Sequence, residues 1–239
     1  MSAPAPAARL IIFDCDGVLV DSEPISNRVL AEMLAEQGLA MSLAEARARF
    51  QGLLLSQVRE RAESMLGGPL PEGWLEEYVE RRADAFAAEL QPVPGAAALV
   101  RDARSAGIAV CVASQGSLRK TARSLALTGL EELFAPGVRF SAEQVPHGKP
   151  DPDLFLFAAA RMGFAPVDCA VVEDTPSGVT AARAAGMSVY GLSADSDPDA
   201  LREAGAIVVA SLEELRAPLL SWATARRDGV RRVDSKSPF

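Results

Sequence analysis

The run Leu10-Ile11-Ile12-Phe13 is apolar at every position and is closed at once by Asp14, Cys15, Asp16 and Gly17. A strand apolar on both alternating faces needs cover on both, which calls for the interior of a parallel sheet layered by helices. Because side chains alternate, Asp14 and Asp16 leave the strand end on one side and Cys15 turns to the other. Two carboxylates that close repel each other unless a cation or a shared proton intervenes, so the strand end reads as a metal site or an acid/base pair.

The rest of the chain extends this pattern. Helices are expected over residues 24–37, 42–50, 56–66 and 72–90, with no strand among them. Pro24 suits a first helical turn, Gly38 a C-terminal cap, and Ser42 with Glu45 a capping box. A Pro/Gly hinge, QPVPG at residues 91–95, ends this helical insert. Helices over 96–106, 118–127, 153–162, 176–185 and 198–204 then alternate with strands over 108–113, 138–141, 169–173, 188–192 and 206–210. That alternation predicts an α/β fold, a doubly wound Rossmann-like parallel sheet core with an inserted all-helical cap. The expected core covers 1–21 and 91–225 and the cap 22–90, with frayed ends at 1–8 and 226–239.

Composition narrows the function. With 239 residues, 49% of them hydrophobic, the chain can bury a sizeable core. A formal net charge of −8 argues against nucleic acid as a partner, since phosphate-backbone binding needs a basic footprint. No apolar run approaches membrane-span length and the N-terminus has no signal core, so a soluble, cytoplasmic protein without a membrane partner is expected, as a monomer.

The three cysteines sit in or beside apolar strand runs and read as buried small hydrophobes. A cysteine phosphatase would need an arginine six positions after its cysteine, where Asp21, Ser117 and Thr175 stand instead. A serine triad or a histidine-rich zinc site would depend on His147 alone, which reads as a loop residue.

Four polar clusters fall at predicted strand ends, where an open α/β sheet gathers its ligands: Asp14-x-Asp16, Ser114-Gln115-Gly116, Gly148-Lys149-Pro150 and Glu173-Asp174. A hydroxyl and backbone N–H groups at Ser114, Gln115 and Gly116 can converge on a phosphate oxygen. Lys149 stands out because the chain has 21 arginines and three lysines, and a compact ammonium can neutralise a phosphoryl group and a carboxylate together. Glu173 and Asp174 add two more carboxylates that a hard divalent cation would reconcile.

In order and spacing these residues resemble the haloacid dehalogenase superfamily, specifically its helical-cap phosphatases and β-phosphoglucomutase-like members, over about residues 10–211. The carriers are Asp14-Cys-Asp16-Gly17-Val-Leu-Val-Asp21, then Ser114, then Lys149 in GKPDPDLF, then Glu173-Asp174 in EDTPSGVTAARAAGM. The resemblance implies Asp14 as nucleophile and Asp16 as general acid/base. It also implies Mg²⁺ held by Asp14, the backbone carbonyl of Asp16, and Asp174, with Glu173 binding directly or through water. Ser114 and Lys149 would clamp the transferring phosphoryl group, with Gln115, Gly116, Glu23, Arg49 and Gln51 as further substrate contacts. The activity implied is hydrolysis of a small phosphorylated metabolite, a sugar phosphate or sugar-acid phosphate, through an aspartyl phosphate.

The alternative is a β-phosphoglucomutase-like phosphosugar mutase, which needs a second, cationic phosphate site in the cap. Arg47 and Arg49 are the available cations, but leucines rather than an arginine follow Gly52, which favours hydrolysis. Dehalogenation gives Asp16 no proton to deliver, and a catalytically silent relative would be expected to lack one of the five main groups.

Overall fold

The structure, a computed structural model, describes residues 9–51, 53 and 55–224. The segments expected to fray, 1–8 and 226–239, lie outside the described residues. Six strands form one sheet: β1 Leu10–Phe13, β2 Ala109–Ser114, β3 Arg139–Ser141, β4 Cys169–Glu173, β5 Ser188–Leu192 and β6 Ile207–Val209. Their order is β3-β2-β1-β4-β5-β6, and every neighbouring pair is parallel. The sheet therefore reverses its winding at β1, where the chain builds outward on both sides and ligand clefts form at the carboxyl ends.

Alternation along the central strands explains the two helical layers. Ile11, Phe13, Val110, Val112, Ala170 and Val172 face one apolar cluster, which includes Leu99, Val100 and Ala103 of α5 (Ala96–Ser105) and Leu125 of α6 (Leu118–Leu127). Leu10, Ile12, Cys111, Ala113, Cys169 and Val171 face the other, with Leu154, Phe155 and Ala158 of α7 (Asp153–Met162), Val179 and Ala182 of α8 (Pro176–Ala184) and Leu201 of α9 (Pro198–Glu203). All three cysteines are free and buried in this layering.

Between β1 and α5 lie four helices: α1 Glu23–Glu36, α2 Leu43–Phe50, α3 Leu55–Leu66 and α4 Trp74–Glu89. The expected capping box of α2 is present, with Ser42 and Glu45 satisfying each other's backbone N–H groups. The helix expected from residue 72 begins instead at Trp74, because Gly73 takes a left-handed φ of 79° and stops the helix from extending backward. The two connections to the insert run side by side: Asp21 N–H donates to Gln91 O at 2.9 Å and Val93 N–H to Leu19 O at 3.0 Å. The apolar cluster on the α5 side continues through Val18, Leu19 and Val20 into Leu30 and Leu34 of α1 and Trp74 and Tyr78 of α4.

One helix was not anticipated. α10, Leu212–Thr224, carries Pro218 in its interior, which reads as a breaker. Leu212, Leu215 and Leu219 are nevertheless buried at most 1% exposed, and Arg216 Nε donates to Asp102 Oδ2 on α5 at 2.6 Å. Among the described residues no helix is long and apolar enough to cross a membrane.

Candidate active site

Parallel register carries the site residues to one end of the sheet. Phe13 pairs with both Val112 and Val172, so the next residues on each strand reach the same rim. Asp14 follows β1 and donates its N–H to Val172 O at 2.9 Å, Ser114 ends β2, and Glu173 ends β4 with Asp174 after it.

Lys149 joins these strand ends. Its side chain is 5% exposed, and its Nζ lies 2.5 Å from Asp14 Oδ1 and 2.6 Å from Glu173 Oε1. Burial favours the neutral amine, but the two carboxylates outweigh it and hold the ammonium above the usual lysine range. The backbone N–H of Lys149 donates to Gln115 Oε1 at 3.0 Å, so Gln115 ties the lysine's loop to the end of β2. Ser114 is 1% exposed, and its Oγ accepts from Gly116 N–H at 3.1 Å, leaving its own proton to donate. Gly116 O in turn accepts from Ser141 Oγ at 2.8 Å.

Glu173 is fully engaged. Its second oxygen accepts from Asp174 N–H at 2.9 Å, Thr175 N–H at 2.8 Å and Thr175 Oγ1 at 2.9 Å. Asp174 is the opposite case: it is 4% exposed and its Oδ1 has no hydrogen-bond partner. Burial, and then the charges of Glu173, Asp14 and Glu23, push its carboxyl well up despite Lys149. Asp14 is likewise pushed up to about 7, by burial first, with Lys149 opposing and the Glu173 and Asp16 charges adding.

This imbalance tests the site for a metal. Three carboxylates, Asp14, Glu173 and Asp174, face one ammonium, and a buried Asp174 oxygen is orphaned; a hard divalent cation would supply the missing charge and a partner for that oxygen. Among the described residues no three His, Cys, Asp or Glu side chains form a ready-made metal cage. Mg²⁺ is commonly held by one or two carboxylates and several waters, so the donor set fits that ion.

Asp16 stands apart from the Lys149 cluster. Its Oδ1 accepts from Ser22 Oγ at 2.9 Å and its Oδ2 from Lys120 Nζ at 2.7 Å. Burial raises its pKa, but the Lys120 charge, both hydrogen bonds and the Arg82 charge together hold it below the usual carboxylate value.

A cavity of about 1060 Å³ lies between the sheet rim and the helical insert, and Ser114, expected to clamp the phosphoryl group, is buried and does not line it. Asp14, Asp16, Glu23, Gln51, Gln115, Gly116, Lys149, Glu173 and Asp174 all line it. Arg49, expected as a substrate contact, does not: it lies on the exposed side of α2, and its carbonyl accepts from Arg61. Arg47 pairs with Asp195 beyond β5 at 3.1 Å, and Gln51 Nε2 donates to Ser196 Oγ at 3.2 Å. The mutase expectation of a phosphate site at Arg47 and Arg49 is therefore not met. His147 is a loop residue whose 69% exposed side chain meets Asp153.

Sequence reasoning missed further cations that line the cavity, Arg82 of α4 and Arg119, Lys120 and Arg123 of α6. Their signal was Arg119-Lys120 in the first turn of a helix, the end that favours anions.

The haloacid dehalogenase-like hydrolase family matches residues 8–186. The chain is 34% identical over 206 residues to hexitol phosphatase A of Escherichia coli, covering 85% of this chain and 91% of that protein. It is 32% identical to 6-phosphogluconate phosphatase of the same organism, covering 77% and 82%. A conserved haloacid dehalogenase-like protein of Agrobacterium tumefaciens superposes with a TM-score of 0.80 at 34% identity, covering 91% of this chain and all of that one.

Proposed function

The chain belongs to the haloacid dehalogenase-like hydrolases, and from that premise we propose that it hydrolyses small phosphate monoesters, of sugars or sugar acids, through an aspartyl phosphate with Mg²⁺ as cofactor. The observation that carries this reading is the buried Lys149 ammonium held between Asp14 and Glu173 at the strand-end rim. Such a pocket presents a nucleophilic carboxylate and donors for phosphoryl oxygens at one place.

In this mechanism Asp14 attacks phosphorus and the bond to the leaving oxygen breaks. Asp16, held ionised by Lys120, takes up a proton from solvent as the anionic substrate binds and delivers it to that oxygen, then takes one from the water that attacks the phosphorylated Asp14 and releases phosphate. Ser114 and Lys149 hold the equatorial oxygens throughout, and Glu173 keeps Lys149 in place. Mg²⁺, held by Asp14, Asp174 and the backbone carbonyl of Asp16, would offset the repulsion between Asp14 and the phosphate dianion. Asp174 suits that role because its Oδ1 is uncommitted, whereas the oxygens of Glu173 are spent on Lys149 and the backbone.

The substrate class rests on the names of the relatives, a hexitol and a 6-phosphogluconate phosphatase. It is supported by Arg82, Arg119 and Arg123 in the cavity lining, which suit the hydroxyls or carboxylate of a leaving group. Residues 22–90 act as a cap over a core of 1–21 and 91–225, shielding the site from bulk water and macromolecules. The reading places the enzyme in the cytoplasm as a monomer acting on a small molecule.

A phosphate-release screen over hexitol phosphates, 6-phosphogluconate, phosphoglycolate and nucleotides tests it, with isomerisation of β-glucose 1-phosphate followed in parallel. Mg²⁺-dependent release that Asp14→Asn abolishes is expected. Activity surviving in that variant, or isomer formed without net phosphate release, overturns the assignment.

A further inference from the structure

Of the three lysines in a chain with 21 arginines, Lys120 and Lys149 both line the cavity, and the third, Lys236, lies outside the described residues. Lys149 has a role in the mechanism above; Lys120 does not. It occupies the first turn of α6, where Ser117 Oγ accepts its N–H at 3.1 Å, and a cation there works against the helix dipole. Space is reserved for its stem, because a Cβ on Gly116 would lie 3.0 Å from Lys120 Cδ. The ammonium reaches Asp16 Oδ2 at 2.7 Å and lies 5.9 Å from the ring centroid of Phe86 on α4. With Ser22 Oγ on the other oxygen at 2.9 Å, both oxygens of Asp16 are held, one from α6 and one from the entry to the insert.

We propose that Lys120 is a positioning residue that fixes the Asp16 carboxyl group in the orientation from which it exchanges a proton with the leaving-group oxygen. A carboxyl group held at one oxygen alone swings about its side-chain torsions, and misplacement by an ångström is costly to proton transfer. A lysine serves here because its compact head fits between Asp16 and the Phe86 ring, where a planar guanidinium is larger. Through Phe86 the proton carrier is also keyed to the insert, so Asp16 is aligned when α4 is seated over the site. This inference rests on the reading of Asp16 as acid and base.

The test measures kcat/KM for Lys120→Met over phosphate monoesters graded from nitrophenyl to simple alkyl leaving groups, with melting temperature as the folding control. Methionine keeps the stem against Gly116 and Phe86. The expected loss is on the order of 10- to 100-fold for alkyl esters and less than about threefold for the nitrophenyl ester, with Lys120→Arg recovering part of it. Asp16→Asn should show the same trend, and Lys120→Met added to it should cost nothing more. A uniform loss across the series, a change in KM alone, or additive losses in the double variant overturn the proposal. If Asp16→Asn itself shows no leaving-group trend, the acid/base reading falls; if it does and Lys120→Met does not, only the role of Lys120 falls.

Discussion

Gly17 lies against Asp174 so closely that a Cβ on it would stand 2.2 Å from Oδ2 and 2.7 Å from the carboxyl carbon. Its φ of 74° is also one that residues with a side chain rarely adopt. The glycine after the two aspartates therefore serves the third carboxylate, on a different strand. Gly17→Ala should displace Asp174 and raise the Mg²⁺ concentration for half-maximal activity by about tenfold or more, in line with changes to groups supporting a metal ligand. A metal titration of activity reads this directly, and an unchanged midpoint would separate Asp174 from the metal.

Glu173 and Asp174 are adjacent in sequence but differ in what they bind, and their amide variants should differ accordingly. Glu173→Gln removes a carboxylate from Lys149, so kcat should fall by roughly 10- to 100-fold while the Mg²⁺ midpoint moves less. Asp174→Asn should move the midpoint first. Equal effects of the two on metal affinity would place both in direct contact with the ion.

The raised pKa of Asp14 has a definite sign in stability. A carboxyl raised from 3.8 to about 7 on folding binds its proton more tightly in the native state, so its contribution is present below about pH 4 and is lost as pH rises to about 7. In metal-free protein, Asp14→Asn should therefore gain melting temperature relative to the parent between about pH 4 and 7. Melting curves in chelator across that range check it; a difference that stays flat or runs the other way contradicts the charge imbalance.

A glycine on α8 gives a control for the anchoring of Lys149. A Cβ on Gly178 would lie 1.8 Å from Glu173 Oε1, so Gly178→Ala should push the carboxylate off its backbone donors and lower kcat and melting temperature together. Activity at the parental level would show that Glu173 can be relocated without harm to Lys149.

Much of this was legible before any coordinates because strand ends announce themselves: apolar runs stop at charged residues, and in a parallel sheet those stops share one rim. Asp14, Ser114, Glu173 and Asp174 are all of that kind. Lys120 is not, since it lies in the first turn of α6 and meets Asp16 across 104 positions of sequence. The division of labour between Glu173 and Asp174 was equally hidden, because it depends on which backbone N–H groups face each oxygen. Pro218 obscured α10, although leucines at 212, 215 and 219 mark one helical face. Arg49 was misplaced for a simpler reason: on α2 it lies beyond the stripe of Ala46 and Phe50 that turns inward.

The bridges from Arg47 to Asp195 and from Gln51 to Ser196 fasten the insert to the loop beyond β5, which carries no catalytic group. On the other side the insert is tethered by covalent chain, so these two contacts are a second, non-covalent tie between insert and core. The ion pair is partly wetted and such pairs contribute about 1 kcal/mol or less, so this tie is light and added salt should loosen it. Relative movement of insert and core is thus opposed on this side by one ion pair and one hydrogen bond.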